Sequence, residues 1–90
     1  MQDELEKSKQ KLKNVLAEVV KKHRLEQEKS INRISNEIAL PKSMWLDLEK
    51  GIKDPQLTTI WRVSEALEIP IENLLTEVKD ILGQDFTLID

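Results

Sequence analysis

The chain has 90 residues, with 14 Lys/Arg, 17 Asp/Glu and no cysteine. That length supports one domain with a modest core, and the missing cysteines exclude a disulfide framework and a thiolate metal site. The formal charge of −3 argues against a uniformly basic nucleic-acid binder, but the charge is uneven: eight bases exceed six acids up to Lys29, residues 31–56 carry four of each, and seven acids face two bases from Leu57 onward.

The N-terminal stretch is charged and has no apolar run, so neither a signal peptide nor a membrane span is expected, and the expected location is cytoplasmic. Leu5, Leu12, Leu16, Val19 and Val20 recur at helical spacing and predict a long amphipathic helix from about Asp3 to Glu28. Glu18 and Lys22 are spaced as an i,i+4 pair on its surface. Ser30 is a good N-cap for a second helix that buries Ile31 or Ile34, then Ile38. That helix stops near Ala39 and Leu40, because Pro41 disfavours helical geometry in the residue before it. A third helix starts at Pro41 and runs through Met44, Trp45 and Leu48. Gly51 ends it, since glycine adopts the left-handed conformation of a C-terminal cap at little cost.

Lys53-Asp54-Pro55 reads as a loop. A fourth helix follows, with Leu57, Ile60, Trp61, Val63 and Leu67 on its buried side. Both tryptophans, Trp45 and Trp61, fall at helical core positions. Pro70 opens a fifth helix that buries Ile71, Leu74, Leu75 and Val78, with Leu82 near its end, and Gly83 stops it. The tail contains Phe86-Thr87-Leu88-Ile89, which has strand-like composition. The expectation is a single all-α domain over residues 1–90, with five helices, a long first helix and a short C-terminal tail.

The order of elements resembles the Cro/lambda-repressor family of helix-turn-helix regulators, often called xenobiotic-response-element regulators. The resemblance covers about residues 16–75, with the helix-turn-helix at about 30–50 and a C-terminal extension at 76–90. It is carried by Ser30, Ile34-Ser35, Ala39 and Leu48-Glu49-Lys50-Gly51, then by Pro55 and Leu57-Thr58-Thr59-Ile60. Ser64-Glu65-Ala66-Leu67-Glu68-Ile69 and Ile71-Glu72-Asn73-Leu74-Leu75 complete the match. No one of these is specific, but they occur in order and without a gap. Ala39 is small where two helices meet at a sharp turn; many relatives have glycine there.

The resemblance implies a DNA-binding transcriptional regulator, a repressor, with the recognition helix of about residues 42–50 in the major groove. Lys42, Ser43, Met44 and Asp47 take the base-reading positions. Lys42 suits guanine O6/N7 or a phosphate, Met44 a thymine methyl, and Asp47 a cytosine amino group or a bridging water. Phosphate contacts fall to Ser30, Asn32 and Arg33 at the start of the second helix, and to Lys50 and Lys53 beyond the third. Arg24 and Glu49 stand where the family has a structural ion pair, beside Gly51.

Two positions depart from the family. Ile31 replaces a glutamine that grips phosphate, and Met44, Leu46 and Asp47 make a partly apolar, partly acidic reading face. That face suits a protein partner as well, so a helix-turn-helix repurposed for protein binding, antitoxin-like, is the alternative. His23 has no cysteine or acidic cluster at ligand spacing, and nothing marks a nucleophile elbow; no metal, cofactor or enzymatic activity is expected. Leu5, Leu12 and Val19 fall seven apart, too few for a coiled-coil seam. Apolar residues in the C-terminal extension lead to an expected homodimer through the fifth helix and tail, with the long first helix as the other contact.

Overall fold

A computed structural model of the chain describes residues 2–89. It is all-α among these residues. The helices are α1 (Gln2–Glu26), α2 (Ile31–Glu37), α3 (Lys42–Glu49), α4 (Leu57–Ala66) and α5 (Ile71–Leu82). Their starts follow from local chemistry. The Ser30 hydroxyl accepts the Arg33 amide at 3.1 Å and so caps α2. Pro41 and Pro70 stand at the caps of α3 and α5, each with φ −55°, which proline holds without cost.

The ends of α1, α2, α3 and α4 share one device. The Lys29 amide donates to the Arg24 carbonyl, Leu40 to Ser35, Ile52 to Asp47 and Ile69 to Ser64, at 3.0–3.3 Å. Between each pair lies a residue in the left-handed region: Glu28 (φ 55°), Ala39 (52°), Gly51 (71°) and Glu68 (57°). This is the Schellman ending, which satisfies carbonyls that a helix terminus leaves open. Only one of the four is glycine, so three helices end on a strained residue. It also explains why α1 stops at Glu26 rather than running on to Glu28.

α1 packs against both α5 and α3, α2 against α3, and α4 against α5. The core joins Val19 and Val20 of α1, Ile34 of α2, Trp45 and Leu48 of α3, Val63 and Leu67 of α4, and Leu74 and Val78 of α5. Leu40, in the turn between α2 and α3, is also buried. Burying such side chains contributes about 1.5–3 kcal/mol each before chain entropy is counted.

Several expectations need correction. Trp61 is 51 % exposed and Leu57 64 %. The buried stripe of α4 is Ile60, Val63 and Leu67; Leu57 and Trp61 form a second stripe about 100° round the helix. Leu75 is likewise exposed, one position past the buried Leu74. Glu18 and Lys22 form no ion pair among the described residues. Residues 84–89 form no strand: no strand occurs among the described residues, so they have no sheet edge to pair with. The tail instead folds back beside the seam of α1 and α5, where Phe86 and Leu88 both lie near Leu12, Leu75 and Val78. No described helix is long and apolar enough to cross a membrane.

Candidate functional site

α2, the turn at 38–41 and α3 form a compact corner that α1 holds from behind. The Arg24 guanidinium donates twice to Glu49, Nε to Oε2 at 2.6 Å and Nη2 to Oε1 at 2.9 Å. Its third nitrogen donates to the Lys29 carbonyl at 2.8 Å, in the turn that leads into α2. The indole Nε1 of Trp45 donates to Glu49 Oε2, one turn away along α3. The two charged side chains are 9 % and 6 % exposed, so this is a buried pair in which each guanidinium nitrogen and both carboxylate oxygens are hydrogen-bonded. The hydrogen bond that Arg24 donates to Glu49 raises the pKa of Arg24 above its ordinary value; burial opposes the shift and the Glu49 charge adds to it.

A second attachment lies just beyond. The Gln10 amide donates to the Gly51 carbonyl and to Asn14 Oδ1, both at 2.9 Å. A Cβ at Gly51 would sit 2.5 Å from Asn14 Oδ1, so glycine is needed there both for its positive φ and for the close approach of α1. On the far side of the corner, Arg62 of α4 donates to the Ile38 carbonyl at 2.5 Å, with the Ala39 carbonyl at 3.4 Å. A cation therefore faces the C-terminal end of α2, where it complements the helix dipole. Gln10, Asn14 and Arg62 were not singled out in the sequence. They sit on exposed helix faces; Gln10 and Arg62 act through backbone carbonyls and Asn14 through Gln10, none of which leaves a periodic signal.

The outer face of the corner is unlike the inner one. Lys42, Ser43 and Met44 are exposed on the first turn of α3, and Asp47 is half-buried one turn on. Lys50 and Lys53 are exposed at the other end. None of these residues has a side-chain hydrogen bond or an ion pair among the described residues. No side chain caps the start of α3 either.

The α2 side is more engaged. Asn32 and Arg33 are exposed, but Glu37 takes Lys29 at 2.8 Å and Arg33 at 3.4 Å. The Lys29 hydrogen bond holds the Glu37 carboxyl below its ordinary value; slight desolvation opposes this, and the charges of Lys29 and Arg33 add to it. The Ser30 oxygen is committed to its cap, although its hydroxyl proton remains available to an outside acceptor.

His23 lies away from this corner. Its Nε2 is 2.8 Å from Glu77 and its Nδ1 3.3 Å from Glu26, joining α1 to α5. No His/Cys/Asp/Glu group fit to hold a metal occurs among the described residues. No protein-family model, curated protein or solved structure matches the chain.

Proposed function

We propose that this chain is a sequence-specific DNA-binding regulator, a repressor of the lambda-repressor-like helix-turn-helix type, working in the cytoplasm without cofactor or catalysis. The observation that carries the reading is the contrast across α3. Its inner side is fixed by Trp45, Leu48 and the Arg24–Glu49 pair. Its outer side leaves Lys42, Ser43 and Met44 without partners.

In this reading α3 enters the major groove by its N-terminal end, where Lys42 and Ser43 meet base edges and Met44 a thymine methyl. Asp47 accepts from a cytosine amino group or a bridging water. Lys50 and Lys53 contact phosphates beyond α3, and Asn32, Arg33 and the Ser30 hydroxyl contact them at the start of α2. The acidic last third of the sequence is then best kept away from the phosphates.

A two-fold pair of such corners would read a symmetric operator. Exposed Leu75, Ile81, Leu88 and Ile89 support a homodimer built on α5 and the tail.

Selection of bound sequences from a random DNA pool tests the proposal. A recovered motif, with affinity that falls steeply as salt rises, supports it. Recovery of no motif, together with no retention on random DNA at low salt, refutes it. The alternative, a corner repurposed for a protein partner, is favoured by one observation: Leu57 and Trp61 stand exposed one turn apart on α4. An unexplained apolar face of that kind is characteristic of interaction surfaces.

A further inference from the structure

Behind the corner, between α1, the start of α4, α5 and the tail, lies a cavity of about 190 Å³. Leu12, Leu16, Ile60 and Val78 line its interior, and Leu75 and the tail residue Leu88 also border it. An apolar cavity of about 150 Å³ stays dry and accepts a benzene-sized molecule, so this one has room for a body of about six carbons.

Its charged lining is asymmetric. Lys9 and Lys13 come from successive turns of α1, against the single carboxylate of Asp54. Lys13 is half-buried and has no carboxylate within ion-pair distance among the described residues. Lys9 has only Glu6, at 3.8 Å, a partner that is itself largely open to water. An ammonium that is partly desolvated and unpaired favours an anion beside it.

We propose that this cavity is a binding site for a small amphipathic carboxylate, a C5–C7 aliphatic or simple aromatic acid. Its apolar body fills the space beneath Leu88, and its carboxylate meets Lys13 and Lys9. The site is separate from the outer face of α3 and does not depend on what that face binds.

Titration of the full chain with sodium hexanoate, followed by the methyl NMR signals of Leu12, Leu16, Ile60, Val78 and Leu88, tests the assignment. Saturable shifts at these methyls are expected, with a Kd of about 1 mM, fitting a ligand of this size. Hexanol should bind about three- to five-fold more weakly, the worth of a partly exposed ion pair, and hexylamine more weakly still. Lys9→Gln/Lys13→Gln, which alters no buried apolar residue, should bind hexanoate and hexanol alike. Absence of saturable shifts overturns the proposal. So does hexylamine binding as well as hexanoate, or a preference for hexanoate that survives the double substitution.

Discussion

The two sides of α3 are built on opposite rules. On the inner side Trp45 is fully buried, Glu49 accepts from Arg24 and from the indole, and Gly51 lies against Asn14. On the outer side Lys42, Ser43 and Met44 end in solvent. A helix of two turns has little stability of its own, so its shape and placement are borrowed from the inner side. The outer side is then free to vary without cost to the fold. Substitutions on the inner side should therefore be read out as stability, and those on the outer side as binding.

The largest expected effect is at the buried pair. Arg24→Met strands the Glu49 carboxylate and should cost about 3–5 kcal/mol in urea unfolding. Arg24→Met/Glu49→Leu should recover much of that, because no charge is then left buried without a partner. A single-variant loss under about 1 kcal/mol, the worth of an exposed pair, would erase the distinction between the two sides.

Next comes the outer face. Lys42→Ala should leave stability within about 0.5 kcal/mol, yet weaken binding to a selected DNA site by about 1–3 kcal/mol if it contacts a base. Equal loss on selected and random DNA reassigns Lys42 to phosphate. Unchanged binding on both removes it from the interface.

A smaller effect sharpens the role of the turn between the sides. Ala39→Gly relieves the left-handed strain, offset by the greater freedom of glycine in the unfolded chain, and should stabilise by about 0.5–1 kcal/mol. A thermal-melt decrease would mean that the alanine methyl contributes packing worth more than the strain.

The smallest effect is at Glu37, whose carboxyl is exposed. Its pKa is lowered in the folded chain, so its contribution is present above its ordinary value of 4.5 and is lost as pH falls through the lower folded value. Glu37→Gln should therefore lower stability slightly near neutrality and flatten the acid limb of a stability–pH profile, the variant and the parent converging as pH falls below about 4.5. A clear loss at neutral pH would contradict the view that pairs on this side hold little.

The sequence made the five helices legible, because apolar spacing, Ser30, Pro41, Pro70 and Gly51 all point the same way. It misled where one stripe of apolar residues borders another. Ile60 and Trp61 are neighbours in a broad apolar run, and periodicity alone does not say which of them faces α5. Trp61 falls at a core position by spacing, yet it stands half exposed. The ends of α1 and α4 were hidden for another reason. Glu28 and Glu68 adopt the glycine conformation without being glycine, so no residue type announces them. The Arg24–Glu49 geometry was approachable through family resemblance, whereas the grips of Gln10 on Gly51 and of Arg62 on Ile38 depend on backbone carbonyls that only the folded chain brings near.

The two grips of α1 on the end of α3 have a mechanical meaning. Gln10 and Arg24 are about 21 Å apart along α1, yet they reach residues only two positions apart, Gly51 and Glu49. A body fastened at one point still pivots. One fastened at two separated points on a rigid rod keeps only rotation about the line that joins them, and here Trp45, seated in the core, blocks that as well. The tilt of α3 is thus set by its inner face against another helix rather than by anything on its outer face. A chain that changed every outer side chain of α3 would still present them at the same angle.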